Sequence, residues 1–172
     1  RWHYAWQRRL VPKRQDTKLF VGTLVHKWLE WYYREDKDRA DQEMEALFQQ
    51  TGNLEENAAE YELAKRIVEH YHETYQEDKN RYKTIETELM FRVPLNGELT
   101  YVGTIDWVGV DRDGNLIFMD HKVTKSLEKY EKNAIMDRQI SRYWWVLNWL
   151  AKGVGEVYYG SEWIPVDHTW WY

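Results

Sequence analysis

Residues 82–123 read YKTIETELMFRVPLNGELTYVGTIDWVGVDRDGNLIFMDHKV, and this stretch decides the fold. Apolar and polar side chains alternate from Tyr82 to Val93, which is typical of a strand with one buried face. Asn96-Gly97 and the segment 111–115 have the composition of tight turns. The stretch therefore predicts a three-stranded antiparallel meander with strands over about 82–93, 99–110 and 116–123.

Helical patterns flank this meander on both sides. Upstream, apolar residues recur at three- and four-residue steps and predict helices over about 2–10, 16–33, 35–50 and 54–79. Downstream, an aromatic-rich amphipathic helix is predicted over 133–151, followed by short strands at 156–159 and 163–166. This order predicts an α/β fold in which helices flank a mixed central sheet, with an N-terminal helical region.

Composition narrows the class of protein. The chain has 172 residues, 43% of them hydrophobic, and no cysteine. This suits a single domain over 1–172, with a helical part at about 1–80 and a sheet core at about 82–166. Disulfides, thiolate zinc sites and iron–sulfur clusters are excluded for these residues. Because the chain opens at Arg1 rather than Met, we expect it to be a fragment of a longer protein.

No apolar run approaches the roughly 18 residues of a membrane span, and no secretory signal is visible. A cytoplasmic location is therefore expected. The net charge is −5, but its distribution is uneven. Basic residues gather near the N-terminus and around Lys122, whereas acidic residues concentrate between Glu30 and Glu62. This pattern predicts a positive groove on an acidic body.

Two aspartates and a lysine are expected to meet across the second hairpin. Asp113 is the middle of the turn, and Asp106 and Asp120 lie equally far from it, so a symmetric hairpin places them side by side. Two adjacent carboxylates repel each other, and a hard cation such as Mg²⁺ or Mn²⁺ relieves the repulsion. Lys122, two residues beyond Asp120, would stabilise developing negative charge. Ordinary surface charge beside a turn is the alternative interpretation.

These residues also carry a family resemblance. Gly103-Thr104-Ile105-Asp106 followed by Asp120-His121-Lys122 resembles the Gly-x-Ile-Asp and (Asp/Glu)-x-Lys motifs of the PD-(D/E)XK nuclease superfamily. Three further features resemble its RecB-like and phage-type exonuclease branch. They are a helical Gly-x-x-x-His, a strand Glu upstream of the Asp, and a Gln-x-x-x-Tyr helix, found here as Gly22 to His26, Glu88, and Gln139 to Tyr143.

The resemblance implies a restriction-endonuclease-like core and a divalent metal, Mg²⁺ or Mn²⁺. The implied metal ligands are His26, Asp106, Asp120 and the backbone carbonyl of His121. Lys122 would then position or activate the attacking water.

The same resemblance implies that Glu88 assists at the metal, and that Gln139 and Tyr143 orient the site, with Tyr143 also contacting DNA. Further DNA contacts are expected from Arg8 and Arg9, which lie among aromatic residues, and from Lys125 in the basic stretch around Lys122.

The residues leave some choices open. Glu86 lies on the same strand face as Glu88, so either could serve the site. His26 could simply be a half-buried histidine packed near Trp28. CRISPR-associated RecB-like relatives carry cysteines for an iron–sulfur cluster. Because this chain has none, and because Asp-His-Lys is followed by Thr124, a cluster-free phage-type relative is favoured.

The expected function is a metal-dependent DNA exonuclease in recombination or repair, in a bacterial or phage-infected cell. It would act on single-stranded DNA or duplex ends, with a recombination or helicase partner. One alternative is an inactive nuclease fold kept for DNA binding or partner docking. Another is a helical interaction domain whose acidic 30–62 segment binds a basic partner.

Overall fold

The computed structural model describes residues 17–124, 126, 128 and 138–166. The helix predicted over 2–10 and the candidate DNA contacts Arg8, Arg9 and Lys125 lie outside the described residues. No helix in the described part of the chain is both long enough and apolar enough to cross a membrane.

Three helices form an N-terminal layer: α1 (Thr17–Tyr32), α2 (Lys37–Gln49) and α3 (Leu54–Tyr75). The side chain of Asp36 caps α2 by accepting the backbone N–H of Arg39 at 2.8 Å. The helices pack through apolar stripes spaced at helical intervals, which bury Leu24, Trp28, Tyr32, Ala40, Met44, Ala64 and Val68. The helix predicted to run to residue 79 ends at Tyr75, and a separate short turn, α4 (Asp78–Arg81), leads into the sheet.

The sheet has five described strands in the order β3-β2-β1-β4-β5. They are β1 (Tyr82–Pro94), β2 (Thr100–Asp111), β3 (Leu116–Met119), β4 (Glu156–Tyr159) and β5 (Glu162–Pro165). The α/β class, the meander and the N-terminal helical region are confirmed. Each described strand pair is antiparallel. The sheet is antiparallel rather than mixed over these strands because β4 enters beside β1 in the opposite direction.

Both faces of the sheet contribute to the core. One face packs against α5 (Arg138–Leu150) and buries Leu89, Phe91, Val93, Ile105, Val108 and Val157. The other face meets the N-terminal helices through Trp107, with Ile117 and Met119 beside it. The sheet therefore lies between two helical layers, and a polar group at the edge of either interface becomes half-buried.

The second hairpin has the symmetric register predicted from its sequence. Trp107 pairs with Met119 and Val110 pairs with Leu116. Asp106 and Asp120 therefore lie opposite each other, one position beyond the Trp107–Met119 pair. The prediction that the third strand reaches residue 123 is wrong, because β3 ends at Met119. The backbone N–H of His121 donates to the side chain of Asp106 rather than to a strand carbonyl.

Candidate metal centre and active site

A half-buried cluster of three side chains of the types that ligate metals lies where α1 crosses the sheet. His26 on α1, Glu88 on β1 and Asp106 on β2 each offer a ligand atom, and these atoms lie within 4.8 Å of one another. Nδ1 of His26 is 3.5 Å from Oδ2 of Asp106. The cluster lines a cavity of about 770 Å³, to which Lys122 also contributes.

The strands are irregular at this cluster. Glu88 lies between the pairs Thr87–Trp107 and Leu89–Ile105, and its φ of 50° falls in the left-handed region that non-glycine residues rarely adopt. On the opposite strand, Asp106 and its neighbour Trp107 both contact the helical layer, through His26 and Tyr33. Backbone strain of this kind concentrates at functional sites.

The structure separates Glu86 from Glu88. Oε1 of Glu86 is 3.1 Å from a guanidinium nitrogen of Arg34 and also accepts the backbone N–H of Thr87. Glu88 instead belongs to the cluster with His26 and Asp106. Glu86 is thus engaged in an ion pair that joins the turn after α1 to β1, and Glu88 is the carboxylate that faces the cavity.

Burial makes the two carboxyl groups of the cluster easier to protonate. Burial first, and then the charges of Asp106 and Glu30, raise the pKa of Glu88 to about 7. The pKa of Asp106 is also raised, chiefly by burial, although the His121 N–H at 2.8 Å and the nearby His26 oppose the rise. Two crowded carboxylates that resist ionisation are the electrostatic signature of a site suited to a cation.

Asp120 lies outside this three-residue cluster, near Asp106, and holds Lys122. Its side chain is only 1% exposed, and Nζ of Lys122 lies 2.8 Å from Oδ1 and 2.7 Å from Oδ2. The same Nζ donates to Oε1 of Gln139 at 2.9 Å, and Nε2 of Gln139 donates to the hydroxyl of Tyr143 at 2.7 Å. Four of the residues singled out by sequence therefore form one hydrogen-bonded chain from the segment after β3 to α5.

His121 has a role in the structure that its motif position did not indicate. Its ring is buried beside Tyr33 and Tyr71, with Nε2 3.3 Å from the Tyr71 hydroxyl, which in turn is 2.6 Å from that of Tyr33. Burial, together with the charges of His26 and Lys122, lowers the pKa of His121 to about 4, so the ring is neutral at pH 7. This chain of rings ties the 120–122 segment to the helical layer.

Comparison with known proteins agrees with this geometry. A family model described as the PD-(D/E)XK nuclease superfamily matches residues 1–167. The chain belongs to the PD-(D/E)XK nuclease superfamily. No curated protein and no solved structure matches the chain. Membership of the superfamily suggests a nuclease, and nucleases of this superfamily use divalent metals.

The residues present fit such a metal. The cluster offers two carboxylates and one imidazole, and carboxylate oxygens are the ligands preferred by Mg²⁺ and Mn²⁺. Asp120 was expected to be a ligand beside His26 and Asp106, and its carboxylate lies against Lys122; its role as a ligand stays a prediction. Glu88, expected only to assist, lies within the cluster itself.

Proposed function

We propose that this PD-(D/E)XK protein is a divalent-metal-dependent deoxyribonuclease that hydrolyses phosphodiester bonds through the His26, Glu88 and Asp106 cluster. The observation that carries the proposal is the meeting of this cluster with Lys122 in one cavity. A general acid–base site would require only one or two such groups. Three ligating groups can hold a divalent cation, and the lysine beside them can stabilise the negative charge that develops on a phosphate during hydrolysis.

The chain's own residues divide the chemistry between them. A divalent cation, when bound by His26, Glu88 and Asp106, supplies Lewis-acid charge to the scissile phosphate. Lys122 donates hydrogen bonds to the phosphate oxygens or to the attacking water, and so stabilises negative charge as it develops. Asp120 and Gln139 hold the lysine amine in place, which reduces the reorganisation needed when the substrate arrives.

The finer parts of the proposal rest on the resemblance of the Gly22 to His26 and Gln139 to Tyr143 motifs to the RecB-like and phage-type branch. We place the protein there as an exonuclease that acts on DNA ends during recombination or repair. The Gln-x-x-x-Tyr motif supports this, because Gln139 accepts a hydrogen bond from Lys122 and donates one to the hydroxyl of Tyr143.

Digestion of end-labelled DNA tests the proposal. Single- and double-stranded substrates are incubated with the purified protein in Mn²⁺, Mg²⁺ or chelator, alongside the variants Lys122→Ala and Lys152→Ala. Lys152 is an exposed lysine beyond the end of α5 and serves as the matched control.

Label should be released only when the metal is present. Loss of this release in Lys122→Ala, with normal release in Lys152→Ala, would support the nuclease. The labelled end that is released first would give the polarity of digestion. Failure to cleave with either metal, while DNA is still bound, would contradict catalysis and favour an inactive DNA-binding member of the superfamily.

A further inference from the structure

The cluster of His26, Glu88 and Asp106 is here called the metal cluster. The face of the sheet that carries it extends beyond these residues. The N-terminal helices pack on the sheet through Trp107, Ile117 and Met119, on one side of the cluster. On the other side, the same face carries side chains that the described residues leave exposed. Met90 is 40% exposed, Val102 is 55% exposed and Tyr158 is 41% exposed.

The strand register arranges these side chains in rows. Phe91 and Val157 pair and are both buried against α5, so their neighbours Met90 and Tyr158 point to the opposite face. Met90 is also paired with Thr104, and Tyr158 with Trp163. One row across the sheet therefore reads Thr104, Met90, Tyr158 and Trp163.

The next row begins with Val102 and Arg92, which are paired, and continues to Glu156 on β4. Arg92 forms an ion pair with Glu156, and its guanidinium lies 4.7 Å from the centre of the Trp163 ring. The Tyr158 and Trp163 rings meet edge to face at 5.5 Å. Arg92, Tyr158 and Trp163 therefore form one group held together by these contacts, here called the aromatic platform.

The platform lies beyond Glu88 in the direction in which β1 runs towards Arg92, and it extends sideways onto β4 and β5. Glu88 and Met90 share strand β1 and are two residues apart, which is roughly 7 Å at the usual strand rise. Arg92 is a further two residues along. Rows at this spacing match the separation of successive nucleotides in an extended strand. A single strand that crosses the sheet diagonally from Glu88 and Asp106 towards β4 and β5 would therefore lay its next nucleotides over the platform.

We propose that the aromatic platform binds the bases of single-stranded DNA that leads to or from the metal cluster. This inference rests on the proposed function for the position of the scissile phosphate. Exposed tyrosine rings and guanidinium planes stack on unpaired bases. Duplex DNA cannot use them in this way, because its base faces are already stacked on each other.

Charge also favours bases over phosphates as the platform's ligand. The guanidinium of Arg92 is already neutralised by Glu156, so the group offers flat, weakly charged surfaces rather than an anion site. Stacking of this kind tolerates any base, so the platform is expected to select strandedness and not sequence.

Binding in chelator tests the platform without cleavage. Fluorescence anisotropy of a labelled oligothymidylate and of a blunt DNA hairpin is compared for wild type, Tyr158→Leu/Trp163→Leu and Tyr158→Phe/Trp163→Phe. Trp144→Leu is the matched control, because Trp144 is 63% exposed on α5 against the other face of the sheet. The leucine pair is expected to lose roughly 10- to 100-fold in single-strand affinity. The phenylalanine pair should retain most of it.

A second measurement needs no substitution. A 5-iodouracil oligonucleotide is photocrosslinked to the wild-type protein, and the modified peptides are mapped. Crosslinks at Tyr158 or Trp163 support the platform. An unchanged single-strand affinity in the leucine pair, an equal loss in Trp144→Leu, or crosslinks confined to other aromatic residues would overturn it.

These experiments distinguish a failure of the platform from a failure of the proposed nuclease function. If the protein cleaves DNA but the leucine pair binds single strands as the wild type does, the platform is wrong and the nuclease stands. If no metal supports cleavage but the leucine pair alone loses single-strand affinity, the platform stands without the nuclease.

Discussion

A carboxylate oxygen of Glu88 lies within 4.8 Å of one from Asp106, across two neighbouring strands. Like charges at this distance repel in a half-buried setting, and the strand at Glu88 adopts a left-handed backbone conformation as well. The metal-free protein therefore holds an unfavourable arrangement, which binding of a divalent cation would relieve.

Replacing Glu88 by glutamine tests this relationship. Glu88→Gln removes one charged ligand, and we expect it to weaken Mn²⁺ binding at least tenfold or so, as loss of groups around a metal commonly does. Glu86→Gln is the matched control, because Glu86 is on the same strand but paired with Arg34. Isothermal titration of both variants with Mn²⁺ gives the comparison. Equal affinities in the two variants would show that Glu88 is not a ligand.

Metal affinity is expected to depend on pH through Glu88. Its pKa of about 7 means that protons compete with the metal below neutrality. The apparent Mn²⁺ affinity should therefore rise with pH and level off above about 7, and this proton's share of the slope should disappear in Glu88→Gln. Titrations between pH 5.5 and 8, in about half-unit steps, measure it. A wild-type profile parallel to that of Glu88→Gln would contradict the assignment.

The raised pKa of Glu88 also determines how the stability of the metal-free protein changes with pH. Because burial raises the pKa of Glu88 above its ordinary value of 4.5, the ionised form is disfavoured in the folded state. Its contribution to the free energy of unfolding is present at low pH and is lost as pH rises towards 7. Metal-free Glu88→Gln should accordingly gain stability over the wild type as pH increases, measured by urea unfolding at several pH values.

Tyr71 is expected to matter for stability although it lies outside every motif. Tyr71→Phe removes the hydroxyl that joins Tyr33 to His121 and should cost about 1 kcal/mol in unfolding free energy. Because His121 donates to Asp106, cleavage should also slow. Tyr75→Phe is the control, since Tyr75 is an exposed tyrosine on the same helix. Equal unfolding free energies for the two variants would show that the hydrogen bonds of the Tyr71 hydroxyl do not stabilise the fold.

Gly22 offers a test that separates stability from activity. It lies within α1 and lines the metal cavity, and a Cβ added there would meet none of the described atoms within 4 Å outside its own helical backbone. Gly22→Ala should raise the unfolding free energy by about 0.5–1 kcal/mol, because glycine disfavours helix. Gly22→Leu should project into the cavity and reduce DNA cleavage without unfolding the protein. Full activity in the leucine variant would mean that DNA does not approach there.

Much of this geometry could be predicted from local sequence. The turn centred on Asp113 gave the correct hairpin register. The four-residue spacing of Gln139 and Tyr143 gave a contact that the structure shows at 2.7 Å. These predictions succeed because strand pairing across a tight turn and helix periodicity depend on neighbouring residues only.

Other features depend on distant parts of the chain. Alternation alone leaves Glu86 and Glu88 equivalent, and Arg34, in the turn after α1, distinguishes them by pairing with Glu86. The end of β3 is set by the Asp106 side chain, which takes the N–H of His121. Tyr33 and Tyr71 read as ordinary aromatic residues of a helical layer, and only tertiary packing brings them to His121.

The most direct test of the central claim is the rate of Mn²⁺-dependent DNA cleavage by Asp120→Ala. Asp113→Ala is measured beside it, because Asp113 is an exposed aspartate at the tip of the same hairpin, and circular dichroism checks both folds. We expect Asp120→Ala to be folded but inactive, because Lys122 loses its buried partner, and Asp113→Ala to cleave at the wild-type rate. Cleavage by folded Asp120→Ala at the wild-type rate would contradict the proposed site.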